Sequence, residues 1–435
     1  MNKFEAKNIR NIALLGHQSS GKTLITEAIL NVSGVTSKKG EIEKGTTVSD
    51  YTKEEKARLI SISASVIPVE YNQHKINVID TPGYSDFVGE VYSALAVANS
   101  AVLVMDAQKG VEVGTEAAWR FIRKLNLPSI IFINKMDKEN IKYDKVLADI
   151  QERLGKRVVP FNIPIFKGEN FAGVIDVINK KAYHLNGDQL VEGEIDDEYL
   201  EQVEELNMQI TEHVAETDEV LMEKYFEGEA FTEEEMRNGL RTGIVTGTIV
   251  PLIIGSAMKN FGIKALLDFI NYFLPSPVDV EVFNGKNPNT NEDVARKASI
   301  NEPFSALVFK TIMDPFLGQI NLFHVRSGRI TRDQDILIAN TGKKVRMNQV
   351  VYLRGKEQIQ TDEVTCGDVG AVVKMTDLAT GYTICDPANP VLYPPIDYPR
   401  PIFYLAIKPK NKNDEDKLSE SLGKLNREDT TFETV

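Results

Sequence analysis

The sequence predicts a doubly wound α/β domain that carries an inserted α+β subdomain and is followed by a small β-barrel. Two observations predict the first part. Short apolar runs recur at Ile12 to Leu15, Ile76 to Ile79, Ala101 to Met105, Ile130 to Ile133 and Leu252 to Ile254, and most lead into helix-like spacing of apolar residues. A third observation predicts the barrel: beyond Pro303, short strand-like runs are separated by turn signals at Ser327-Gly328, Asn340-Thr341-Gly342 and Cys366-Gly367-Asp368.

Taken in order, the first strand leads through a glycine-containing loop to a helix whose apolar face is Leu24, Ile25, Ala28, Ile29 and Val32, three or four apart. From Val158 to Val250 the alternation is interrupted by strand candidates (Val158 to Phe166, Phe171 to Val177, Lys181 to His184) and then a long acidic helix. Its predicted buried stripe is Leu200, Val203, Leu206, Ile210 and Val214. Because Leu252 to Ile254 reads as the first sheet resuming, the first domain takes residues 1–157 and 251–278, and 158–250 is an insert. The run Leu274-Pro275-Ser276-Pro277 closes the first domain, and a polar linker spans 279–302, with Asn284 to Asn291 at its centre. The barrel takes 303–401. Beyond it lie one predicted strand, Phe403 to Ile407, and one helix, Asp414 to Arg427. A lone strand and helix cannot bury a core, so residues 402–435 read as the truncated start of a third domain in a fragment of a longer protein.

With 435 residues, 42% of them hydrophobic, the composition is that of an ordinary globular protein of several domains. Met1 to Arg10 is charged, and the longest apolar stretch, Ala94 to Met105, is interrupted by Asn99 and Ser100; neither a signal peptide nor a membrane span is expected. Cys366 and Cys385 are too few and too far apart for a disulfide framework, so a reduced cytoplasmic protein without a disulfide-linked partner is expected. The net charge of -13 argues against nucleic-acid partners only until its location is noted. Between Asp188 and Arg237 nineteen acidic residues face two basic ones, so the rest of the chain is mildly basic.

The loop Gly16-His17-Gln18-Ser19-Ser20-Gly21-Lys22-Thr23 matches G-x-x-x-x-G-K-[ST], placed between a buried strand and an amphipathic helix. In that context backbone N–H groups and the helix N-terminus face a phosphate, with Lys22 bridging terminal phosphates and the Thr23 hydroxyl on magnesium. Asp80-Thr81-Pro82-Gly83 follows the second strand run, setting the Asp80 carboxylate to hold a magnesium-bound water and leaving the Gly83 N–H for the terminal phosphate. Asn134-Lys135-Met136-Asp137 follows Ile130 to Ile133; the Asp137 carboxylate accepts from the N1–H and amino group of guanine, a donor pair that adenine lacks. Gly255-Ser256-Ala257 can present a backbone N–H to the guanine oxygen. The four loops in this order predict GTP or GDP with Mg2+, and not ATP.

These residues resemble the elongation factor G family of translational GTPases. The resemblance also includes Gly45 to Asp50, Val88 to Leu95, the run Ile254 to Ala257 continuing to Pro277, Pro303 to Asp386, and Ile407-Lys408-Pro409-Lys410. It implies an α/β P-loop GTPase domain with its insert, a translation-factor β-barrel (domain II) and the start of a ferredoxin-like third domain. It also implies a ribosome-stimulated GTPase acting in translation. The acidic insert then has two readings, a solvated helix face or a dock for the ribosomal stalk protein. Lys343, Lys344, Arg346, Arg354 and Lys356 form a basic cluster able to meet ribosomal RNA phosphates.

Departures from the family pattern concern hydrolysis and point to a divergent elongation-factor-G-like branch. The family's water-orienting histidine is Tyr84, a phenol with a reference pKa of about 10 and a poor substitute for imidazole. Gln18 and Ser19 replace the apolar gate residue and the aspartate that usually follow the loop histidine, while Ile60 keeps the opposing gate position. Ser61 stands for the metal-binding threonine and retains its hydroxyl. Lys22, Tyr84 and Gln18 are the catalytic candidates; Tyr84 has an alternative as a packing residue, and Gln18 as the water-positioning group. His17 is expected to make contacts within the loop, and His74, His184, His213 and His324 to be surface or packing residues. A GTP-hydrolysing factor, a slow GTP-dependent ribosome-binding regulator and a tetracycline-type ribosomal protection factor all remain open at this stage.

Overall fold

The computed structural model describes residues 1–186, 189–280, 282–401, 403–409, 411 and 414–434. Asp188 of the acidic segment and Lys410 of the family-like run lie outside them.

Each apolar run of the first domain forms a strand, lengthened at its ends: β1 Ile9–Leu15, β3 His74–Asp80, β4 Ser100–Asp106, β5 Ser129–Asn134 and β11 Val250–Ile254. Two further strands, β2 Ser65–Tyr71 and β6 Val158–Pro160, complete a seven-stranded sheet in the order β2-β3-β1-β4-β5-β11-β6. All neighbours are parallel except β2, which runs antiparallel along β3. Helices α1 Lys22–Val32, α2 Lys53–Arg58, α3 Val88–Leu95, α4 Val113–Lys124 and α5 Tyr143–Leu154 follow in chain order. On α1 the side chains Ile25, Ala28 and Ile29 are fully buried against the sheet, flanked by half-buried Leu24 and Val32.

The predicted strand Val158 to Phe166 is two strands. β6 joins the main sheet beside β11, and after Phe161 the chain turns into β7 Asn162–Lys167 of the insert. There β8 Asn170–Asp176, β9 Lys181–Asn186 and β10 Gln189–Gly193 extend a four-stranded antiparallel sheet. Helices α6 Asp197–Ala215, α7 Glu219–Glu227 and α8 Glu233–Thr246 follow it, and α9 Ile263–Phe273 follows β11. Val203, Leu206, Ile210 and Val214 are buried as the stripe required, but Leu200, one turn earlier, is 46% exposed. In the same turn it is Tyr199 that reaches the insert sheet, its hydroxyl accepting from Phe166 N at 3.2 Å. The insert and the main sheet share one continuous apolar core.

The stretch read as a linker is a β-hairpin. β12 Val282–Lys286 pairs antiparallel with β13 Asp293–Lys297, and the Asn-rich segment is its turn, closed by Asn287 N donating to Glu292 O at 2.8 Å. Phe283 packs with Val391 and Tyr393, fixing the hairpin to the barrel. The barrel is an eight-stranded antiparallel sheet that includes β14 Ser305–Asp314 and β15 Gly318–Ser327, wrapped around Ala306, Val308, Phe323, Val325 and Ile336. The last helix, Glu415–Glu428, matches its expectation, whereas Phe403 to Ile407 forms no strand. Phe403, Tyr404 and Leu405 are 76%, 81% and 77% exposed: a strand needs a neighbour, and no described strand lies beside this segment.

Candidate functional site

β3 and β4 lie on opposite sides of β1, so the loops leaving the carboxyl ends of β1, β3, β5 and β11 converge where the strand order reverses. At the end of β1, Gly16 has φ +143° and an added Cβ would stand 2.3 Å from Val104 O. Gly21, the N-cap of α1, has φ +99° and a Cβ there would stand 2.2 Å from Asn134 Nδ2. Only glycine fits either position, and the loop between them is drawn tightly over the sheet. No side chain caps α1, so its first backbone N–H groups are directed into this loop.

Lys22 is buried within it, with Nζ donating to Gly16 O and His17 O at 3.0 Å each. Burial pulls its pKa down to about 8, against the opposing pull of Asp80 and Asp50. A buried ammonium held only by carbonyls suits an anion. Gly83 brings the second loop alongside: a Cβ would lie 2.6 Å from Lys22 Nζ and 2.8 Å from Gln18 N.

The three expected metal ligands come together. Thr23 Oγ1 and Ser61 Oγ are 3.0 Å apart. Asp80 is buried, and among the described residues neither of its carboxylate oxygens has a hydrogen-bond partner. Burial lifts its pKa above the usual carboxylate range, opposed by the nearby Ser49 hydroxyl, the Lys22 charge and the Thr23 hydroxyl. Beside it Asp50 is a second buried carboxylate with Oδ1 unpartnered, raised by burial and then by the Asp80 charge. Orphaned carboxylate oxygens beside two hydroxyls fit a divalent, oxygen-seeking cation such as Mg2+.

Sequence reasoning missed Asp50, and with it two buried glutamates, Glu27, which holds the 40–48 stretch, and Glu55, which holds the segment around Ser61. Glu27 on α1 accepts from Gly40 N at 2.8 Å and Val48 N at 2.6 Å. Glu55 closes a capping box with Thr52 at the start of α2 and accepts from Ile62 N and Ser63 N at 3.2 Å each. The signal for Glu55 was present as Thr52-x-x-Glu55; Glu27 carried none.

On the base side, Asn134 Nδ2 donates to Ser20 O at 3.0 Å and its Oδ1 accepts from Ala257 N at 3.0 Å, tying three loops together. Lys135, at φ +70°, lies along the phosphate loop, with Nζ donating to Ser19 O and Asp106 Oδ2 at 2.7 Å each. Asp137 Oδ1 accepts from Ser256 Oγ at 2.5 Å, which aims the carboxylate.

Other expected residues stand apart. His17 does not turn into its own loop: Nδ1 accepts from Gly114 N at 3.2 Å and Nε2 lies 3.5 Å from Glu112, so its imidazole braces the start of α4. Ser19 is exposed, at φ +59°. Gln18 and Tyr84 are half-buried on either side of Gly83, and no side-chain hydrogen bond of either is found among the described residues. Half-buried Ile60 follows Leu59, which ends α2 at φ +57°. The basic cluster is largely neutralised, with Lys343 paired to Asp377, Arg346 to Asp333 and Arg354 to Glu357. His324 is fully buried, and both Cys366 and Cys385 are buried thiols. Among the described residues no helix is long and apolar enough to cross a membrane.

Three family models match in succession: the elongation factor Tu GTP binding domain over residues 7–276, elongation factor G domain 2 over 303–387, and elongation factor G domain III over 398–435. A crystal structure of a protein from Thermus thermophilus is 33% identical with a TM-score of 0.86; the match covers 98% of this chain and 62% of that one. The chain thus spans under two thirds of the length of that relative. The GTP-binding domain model takes in all four loops described above, and with domains of the elongation factor G type behind it, this chain belongs to the translational GTPases as a divergent, elongation-factor-G-like member.

Proposed function

We propose that the chain binds GTP and GDP with Mg2+, hydrolyses GTP to GDP and phosphate, and acts on the ribosome in the cytoplasm. The observation that carries the reading is the convergence of Lys22, Thr23, Ser61 and the orphaned Asp80 carboxylate at the end of an uncapped helix. The backbone N–H groups of the phosphate loop and Lys22 hold the β- and γ-phosphates, and Gly83 N–H meets the γ-phosphate. Asp137, Ser256 and Ala257 select guanine. Thr23 and Ser61, with Asp80 and Asp50 behind them, would hold Mg2+, which would supply neutralisation of the phosphate charge when bound.

Gln18 and Tyr84 flank the place from which water attacks the γ-phosphate. Among the described residues neither side chain has a hydrogen-bond partner to orient it, which favours the second reading: a regulator that holds GTP on the ribosome and hydrolyses it slowly. Calorimetry with GTP, GDP and ATP tests the first reading, and equal affinity for ATP overturns it. Single-turnover GTP hydrolysis with and without ribosomes separates the two; rapid ribosome stimulation eliminates the slow regulator.

A further inference from the structure

One buried side chain of the barrel reaches the segment that carries Ser61 with a charge. Lys310 on β14 is 4% exposed, and its Nζ donates to Ser63 Oγ at 2.7 Å and to Glu90 Oε2. Glu90 belongs to α3, and the same carboxylate oxygen accepts from Ala64 N at 2.5 Å and Ser63 Oγ at 3.4 Å. One carboxylate therefore gathers a lysine from the barrel and two groups from the segment that carries Ser61. On the near side that segment is held by Glu55 through Ile62 N and Ser63 N. Ser61 is thus clamped from two directions, and only the Glu90 clamp depends on another domain.

We propose that Lys310 is a positioning residue of the magnesium site: by neutralising Glu90 it allows that carboxylate to hold the 63–64 backbone and so keeps the Ser61 hydroxyl against Thr23. The inference rests on Ser61 being a magnesium ligand. Without the lysine, Glu90 becomes a poorly solvated charge with no counter-ion, turns toward water, and releases the Ala64 N–H. Glu428 of the last helix accepts from Met313 N at 2.5 Å, which brings a third segment onto the same strand of the barrel.

The test is the release rate of a fluorescent GDP from the whole chain, titrated with Mg2+, for wild type, K310M and K310Q/E90Q, with circular dichroism melts establishing folding. In K310M the Mg2+ midpoint is expected to rise about tenfold, the usual size for loss of a group that orients a metal ligand, while release in chelator matches wild type. The double variant removes both charges together and carries the test if K310M does not fold; its expected shift is the same. A midpoint within about twofold of wild type in a folded variant overturns the proposal, as does release accelerated equally with and without Mg2+. Wild-type release that ignores Mg2+ overturns instead the magnesium reading on which the proposal rests.

Discussion

Tyr84 stands where the phosphate loop and the second loop meet, half-buried, and among the described residues nothing hydrogen-bonds its hydroxyl, so no partner fixes the direction in which it would hold a water. Tyr84→His is expected to raise the single-turnover hydrolysis rate by about tenfold or more with GTP affinity unchanged. An unaltered rate in chemical quench would show that Tyr84 is a packing residue. His324 leads to a pH prediction. Burial first, and then the Arg326 charge, depress its pKa to about 3, so the folded chain keeps the imidazole neutral while the unfolded chain protonates near its ordinary value. Between those values the unfolded state binds the extra proton, and stability falls as pH drops, with a slope approaching about 1.4 kcal/mol per unit from this group. Urea midpoints of wild type and His324→Phe, compared at about pH 7 and about pH 5, are expected to show a shallower acid limb in the variant. At this scale the motif residues were legible because each loop writes its chemistry in consecutive letters. Asp50 and Glu27 were not, because their role exists only once the chain has brought them beside Asp80 and the Gly40 to Val48 backbone.

Elements were legible where burial is matched by an aliphatic run and obscured where it is not. β1, β4, β5 and β11 are covered on both faces and carry such runs, whereas β2, buried from Ser65 to Val69, is broken by Pro68 and lies at the sheet edge beside β3. The β12–β13 hairpin was hidden by its Asn-rich turn, and the division of β6 from β7 by an apolar continuity that holds through Phe161 while the chain changes sheets. Helix α2 is short and exposed, and its integrity comes from the Thr52–Glu55 capping box. Glu55→Ala removes that box and the acceptor for Ile62 N and Ser63 N, at an expected cost of about 1–2 kcal/mol. Limited trypsin digestion is expected to cut faster after Lys56 and Arg58; unchanged cleavage would mean that the Glu90 contacts to Ser63 and Ala64 hold the segment without Glu55.

Across the whole molecule, the GTP-binding domain and the barrel meet through a mixed apolar and ionic face. Ala64, Val66, Ile79, Ala94 and Val97 pack on Phe309, Ile320, Leu322, Val351 and Leu353. Next to them Lys75, fully buried, donates to Asp368 at 2.7 Å and lies 3.2 Å from the centre of the Tyr352 ring. Asn77 Nδ2 donates to the other Asp368 oxygen at 3.0 Å. Lys75→Met strands Asp368 without a counter-ion and is expected to destabilise the chain by about 3–5 kcal/mol, with much of the loss recovered in K75M/D368L. Chemical denaturation of both variants checks this; equal losses would show the pair to be independent. None of this interface was legible, since it joins residues some three hundred positions apart. The strand order carries one more consequence, in the time domain. β6 has no partner in the main sheet except β11, and β11 lies between it and β5, with the whole insert in between. During synthesis the first hundred and sixty or so residues therefore present β5 as a raw edge until the insert has emerged and folded back. Asn134 receives its Ala257 partner only at that moment, so the tie between the loops after β5 and β11 is completed only once the guest subdomain has been made.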